Sequence, residues 1–199
     1  SQVVEVWREG GQEPIAISLT EPIYQNCLAV SASGRWLATR FDMHPVDLYD
    51  LSVTPIQPVR TLESRCFDFA FSPDERLLVC GQQYGSVGCF DVASGKQLPN
   101  FAEFESFWSW GMSVAFSADS RYVAAGNESG TVRVWEADSR QLISTLAGQP
   151  GEVRAIAFFP DGRRLAQGGT GDVQIWDYRS GQELLEIPVK GGHVQTLAI

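Results

Sequence analysis

The chain has 199 residues, 44% of them apolar and 20% charged, which excludes a disordered segment and is enough to bury one substantial core or two small ones. Its net charge of −9 argues against a nucleic-acid partner, because such binding runs on clustered Lys and Arg neutralising phosphates. No apolar stretch reaches the ~18–20 residues that span a bilayer and no signal-peptide pattern opens the chain, so no membrane partner is expected and the expected setting is cytoplasmic.

Taken in chain order, the sequence repeats two phrases. The first is "LAVSASGRWLATR" from Leu28, "FAFSPDERLLVCG" from Phe69, "SVAFSADSRYVAAG" from Ser113 and "IAFFPDGRRLAQGG" from Ile156. Ala29, Ala70, Ala115, Ala157 and Ala198 mark equivalent points, at intervals of 41, 45, 42 and 41 residues. The second phrase is "VEVWRE", "VDLYDL", "VGCFDV", "VRVWEA" and "VQIWDY", whose aromatics Trp7, Tyr49, Phe90, Trp135 and Trp176 are spaced by 42, 41, 45 and 41. Two independent markers share one period, and the extra residues fall in the same unit both times.

Each unit reads as four short strands. Between Ser113 and Leu146, "SVAFS", "YVAAG", "TVRVWE" and "QLISTL" are strands, separated by "ADSR", the Asn/Gly hairpin "NESG" and a second "ADSR". No segment carries a sustained helical stripe. A four-stranded repeat of ~40–45 residues signs a β-propeller blade, so the fold class is all-β. The expected division is a partial blade at 1–22, blades at 23–64, 65–108, 109–150 and 151–191, and the first strand of a further blade at 192–199. The whole is a single propeller domain or part of a larger ring.

The segments Phe159–Leu184, with Trp176-Asp177, and Phe116–Leu146, with Trp135-Glu136, resemble the WD40 repeat family. Many blades of that family hold a buried network of His, Ser/Thr, Asp and the third-strand Trp. Here the His positions carry Tyr24, Arg65, Trp110, Glu152 and His193, and the Ser/Thr positions carry Thr39, Cys80, Ala125 and Gln167. No unit has the full set, so apolar packing must hold the blades, and buried Trp N–H groups need other acceptors.

Catalytic patterns are sparse. The two histidines are His44, which reads as a turn residue near Asp42, and His193, at the family's Gly-His position. No G-x-S-x-G, HExxH, CxxC or EF-hand spacing occurs, so no catalytic residue, cofactor or metal is expected. The glycine runs "GQQYGSVG" and "GGTGD" lead into strands and read as hairpin turns rather than phosphate cradles. Cys27, Cys66, Cys80 and Cys89 read as buried thiols. A two-residue turn at Tyr84-Gly85 sets Cys80 opposite Cys89, either as core neighbours or as a cross-strand disulfide. "NES" at Asn127 is a formal sequon that reads as a polar turn.

The stretch "FAEFESFWSWGM" from Phe101 fits neither period. It falls in the loop between two blades, which in the resembled family opens on the face that receives protein or peptide partners. Phe104, Phe107, Trp108 and Trp110 are therefore candidate anchors, with Arg65, Tyr84 and Glu152 on the same face. The alternative is local packing, with Phe104 or Phe107 covering the blade edge and Trp110 filling the lost His position. The resemblance implies a non-catalytic scaffold, part of a larger signalling or assembly protein. The alternatives are a propeller enzyme or small-ligand binder using the central channel, and a structural domain that associates through open blade edges.

Overall fold

The computed structural model describes residues 2–6, 14–19, 26–41, 45–102, 104, 113–148, 150–191 and 193–199. The chain divides into two compact units, Ser1–Arg65 and Cys66–Ile199. The first holds an antiparallel pair, β1 (Gln2–Val6) and β2 (Ile15–Leu19), and the meander β3 (Asn26–Val30), β4 (Trp36–Phe41), β5 (Val46–Asp50) and β6 (Pro58–Leu62).

The second unit holds three four-stranded antiparallel meanders. They are β7 (Cys66–Phe71) to β10 (Gln97–Phe101) through β8 (Leu77–Gln82) and β9 (Val87–Asp91); β11 (Val114–Phe116) to β14 (Leu142–Ala147) through β12 (Tyr122–Gly126) and β13 (Thr131–Glu136); and β15 (Val153–Phe158) to β18 (Gln182–Ile187) through β16 (Arg164–Gly169) and β17 (Val173–Asp177). Each meander holds one copy of both repeated phrases, and no α-helix occurs among the described residues. His193–Ile199 forms no strand. His193 makes an isolated bridge to Thr170, and Val194 N–H donates to Gly169 O at 2.9 Å. That bond repeats the one from Val153 N–H to Asn127 O at 3.0 Å, so the segment makes the contact that opens a blade without the ladder that follows it.

The third-strand aromatics are buried: Tyr49 is 5% exposed, Phe90 3%, Trp135 0% and Trp176 5%. Apolar packing joins neighbouring sheets of the second unit. Val79, Val87, Cys89 and Phe101 meet Val114, Val123 and Trp135. In the next pair Tyr122, Val132, Val134 and Leu146 meet Val153, Leu165, Trp176 and Tyr178. The indole Nε1 atoms of Trp135 and Trp176 are buried without a hydrogen-bond partner, so the lost Ser/Thr positions were not replaced by other acceptors.

The turns between first and second strands repeat in detail. Gly34, Glu75, Ser120 and Gly162 occupy one left-handed position, with φ of 72°, 61°, 62° and 66°. An aspartate one residue earlier holds three of these turns: Asp74, Asp119 and Asp161 each accept a backbone N–H from the arginine two residues on.

In the last blade the arrangement is electrostatically tuned. Backbone N–H groups of Arg164 and Arg163 hold Asp161 down to about 2. The Arg163 side chain, 2.6 Å from Asp177, holds that carboxyl below its ordinary value, helped by the Ser180 and Arg179 amides. Both folded values lie below the unfolded value of about 3.9. Their stabilisation is therefore complete above that value and is lost as pH falls through the folded values. The Asp177→Asn variant is expected to melt below the parent chain at neutral pH. The gap should close on titration from about pH 5 towards pH 2, followed by circular dichroism; a gap independent of pH would mean that the carboxylate charge is not the stabilising feature.

The two cysteines do not face each other. The register places Cys80 opposite Gly88 and Cys89 opposite Val79, so the thiols point to opposite faces of the sheet. The cause is turn length: Gln83–Gly85 forms a three-residue 3-10 turn with Tyr84 at φ 62°, one residue longer than the turn expected from sequence. None of Cys66, Cys80 and Cys89 forms a disulfide, and all three are buried.

Candidate partner-binding rim

Antiparallel order brings the second-to-third strand turns and the blade connections of the second unit to one rim. Backbone bonds tie them together: Phe104 N–H to Gly85 O (3.0 Å), Gly148 N–H to Gly130 O (3.1 Å), Val153 N–H to Asn127 O (3.0 Å) and Thr170 N–H to Glu152 O (3.1 Å). Asn127 is 5% exposed, and its Oδ1 accepts from Ser129 N–H, Ser129 Oγ and Thr131 N–H. It is thus the polar core of a hairpin turn.

Phe104 takes the packing alternative. It is 4% exposed, its ring meets Trp135 edge-on at 5.9 Å, and the Arg133 guanidinium lies 5.0 Å from its centroid. The reason is local: the Phe104–Gly85 bond draws this residue down onto the hairpin, over the third-strand Trp. Phe104 therefore presents no free aromatic face as a partner anchor. Gly85 is required there, because a Cβ would meet Phe104 O at 2.8 Å. Tyr84, beside it, is 65% exposed and stands at the tip in a left-handed conformation.

Glu152 is half-buried and pairs with Arg154 at 2.8 Å. Arg65 is exposed and belongs to the first unit. Phe107, Trp108 and Trp110, with Tyr24, His44 and Trp7, lie outside the described residues.

Sequence reasoning placed Gln167 at a network position but missed what it does there. Gln167 and Gln174 are each 4% exposed, and Gln167 Nε2 donates to Gln174 Oε1 at 2.9 Å. Gln174 Nε2 donates in turn to Glu183 Oε2 at 3.1 Å. The only available signal was a glutamine in each of two otherwise buried strands, "LAQGG" and "VQIW".

Half-buried Asp68 on β7 accepts from Phe69 N–H, Val114 N–H and Ser113 Oγ. Burial still raises its carboxyl above the usual value. It joins two neighbouring inner strands. Burial also pushes the Cys89 thiol up, with Arg140 opposing, which disfavours the nucleophilic thiolate.

The family model described as "WD domain, G-beta repeat" matches residues 111–136 and 140–177. The chain is a WD40-repeat protein. Its four-stranded sheets are WD40 blades, here with the buried polar network of the family largely replaced by apolar contacts. Among its relatives, Telomerase protein component 1 of Rattus norvegicus is 31% identical over 127 residues, 63% of this chain and 5% of the relative. Protein LST8 homolog of Drosophila melanogaster is 31% identical over 170 residues, 79% of this chain and 53% of the relative. U3 small nucleolar RNA-associated protein 15 homolog of Xenopus tropicalis is 23% identical over 184 residues, 92% of this chain and 35% of the relative. The chain thus spans about half or less of the length of these curated relatives. Among the described residues, no helix is long and apolar enough to cross a membrane.

Proposed function

We propose that these WD40 blades form a non-catalytic scaffold module that presents its rim to a protein or peptide. Tyr84 carries the reading. It is a large aromatic held out in solvent, in a backbone conformation that a side-chain-bearing residue adopts at a cost. Nothing in the blade packing requires an aromatic there, whereas exposed tyrosines on rigid supports are common binding anchors. Phe107, Trp108, Trp110 and Glu152 complete the proposed set, and Phe104 supports the Tyr84 hairpin from its packed position.

The relatives' names support membership of assemblies without naming a partner for this chain. The Xenopus relative is by name associated with an RNA, but a net charge of −9 makes protein the better partner class here. The test is the Tyr84→Ala variant, in a titration against a protein that co-purifies with the intact chain. Affinity is expected to fall by about 2 kcal/mol with the melting temperature unchanged or slightly higher. Equal affinity for Tyr84→Ala and Trp108→Ala alike would remove this rim as the binding surface.

A further inference from the structure

A cavity opens on the rim between the third and fourth blades. Gly151, Glu152, Gln167, Thr170, Asp172 and Gln174 are among the residues that line it. Its chemistry follows from the order of the amides. The Glu183 carboxylate offers acceptors to the amide beside it. It therefore fixes the Gln174 NH2 towards itself, at 3.1 Å. Gln174 Oε1 then faces Gln167 and accepts from its Nε2 at 2.9 Å. Gln167 Oε1 is left over: it is buried and has no hydrogen-bond partner. Flipping either amide would set like atoms against each other, so the orphan at this site is an acceptor rather than a donor.

The other groups have the same polarity. Asp172 uses Oδ1 to accept from Val189 N–H at 3.0 Å. Glu152 holds Arg154 through Oε2, and Thr170 Oγ1 stands beside Glu152 O at 3.5 Å. Acceptor-bearing residues from three chain segments thus line the cavity, and glycines at 130, 151, 168 and 169 leave the walls without side chains. Among the described residues no three His, Cys, Asp or Glu side chains cluster as metal ligands would.

We propose that this cavity receives a lysine ammonium carried by a bound peptide. An ammonium supplies three N–H groups pointing in different directions, which suits acceptors arranged around it. A guanidinium fork is matched instead to two parallel acceptors on one group. Asp172 provides the charge, Gln167 Oε1 the buried acceptor and Thr170 the hydroxyl. The inference rests on the reading of this rim as a partner surface, and it names one chemical feature of the partner.

The experiment is an amide and side-chain NMR titration of the full chain with the capped tripeptide acetyl-Ala-Lys-Ala-amide. The norleucine tripeptide, n-butylammonium chloride, sodium chloride and magnesium chloride serve as parallel arms at matched ionic strength. The lysine peptide is expected to shift the Gln167 side-chain NH2 and the Gly169–Asp172 amides saturably, and to bind more tightly than butylammonium. The Asp172→Asn variant should weaken it about tenfold, as expected for losing a charged hydrogen-bond acceptor, and Gln167→Met should do so without altering the shifts of the other blades.

Several outcomes would overturn the proposal: equal shifts with norleucine or sodium chloride, an unchanged affinity in Asp172→Asn, or saturable binding of magnesium at the same residues. Butylammonium binding as tightly as the peptide would assign the cavity to a free amine. The tripeptide arms need no natural partner, so they separate failure here from failure of the scaffold reading, which Tyr84→Ala tests.

Discussion

Replacing Trp176 with alanine is expected to cost about 3–5 kcal/mol of unfolding free energy, in the range for removing a large buried aromatic. Trp176 is 5% exposed and packs with Tyr122, Leu146, Val153, Leu165 and Tyr178, which belong to two neighbouring blades. Its loss opens a cavity at the joint between them, where strand ladders on either side limit collapse. The indole N–H sharpens the test, because Nε1 is buried without a partner. Trp176→Phe loses some apolar area but also removes an unsatisfied donor, whose burial costs about 1–3 kcal/mol. That variant should therefore stay within about 1.5 kcal/mol of the parent chain, the range for shape-tolerant core swaps. The chain carries a precedent, since Phe90 fills the same repeat position and is 3% exposed. Urea melts followed by far-ultraviolet circular dichroism measure both variants. A Phe variant as damaged as the Ala variant would mean that the N–H makes a bond that matters.

The architecture was legible because each repeat writes its register twice, once in the first-strand alanine and once in the third-strand aromatic. Interval counting therefore located all four sheets. Finer features failed where one residue changes the answer. The Cys80–Cys89 pairing assumed a two-residue turn, and the observed turn at Gln83–Gly85 moves the partner by one, which flips the face of the sheet. Phe104 could be read either as a partner anchor or as packing over the blade edge, because no repeat period demands an aromatic there. Its burial comes from the backbone bond to Gly85, a contact between segments that no local pattern encodes. The Gln167–Gln174 pair was hidden for a related reason. Gln167 was placed at a network position, but its partner Gln174 lies on the next strand and bonds on to Glu183 of β18, a relay that no repeated phrase encodes.

Gly169 is the second position where a small change should have a large effect. A Cβ built on it would lie 1.7 Å from Glu152 O and 3.0 Å from Arg154 N. Both are backbone atoms, so no side-chain rotation relieves the clash. Glu152 O cannot retreat without loss, since it accepts from Thr170 N–H at 3.1 Å, and Gly169 O holds Val194 N–H at 2.9 Å. The register shift between Val153 and Ala155 in the β15–β16 ladder is where the chain makes this close approach. Gly169→Ala is expected to cost about 3 kcal/mol, the upper part of the range for overpacking. Gly162→Ala is the control. Gly162 has a φ of 66° with nothing within 4 Å of the added carbon, so it should cost only the left-handed penalty of about 1–2 kcal/mol. Parallel urea melts decide between them. If Gly169→Ala were no worse than Gly162→Ala, the contact with Glu152 would be soft. The rim at Glu152, Thr170 and Asp172 would then be a loop that yields to its ligand rather than a surface set in advance by the backbone.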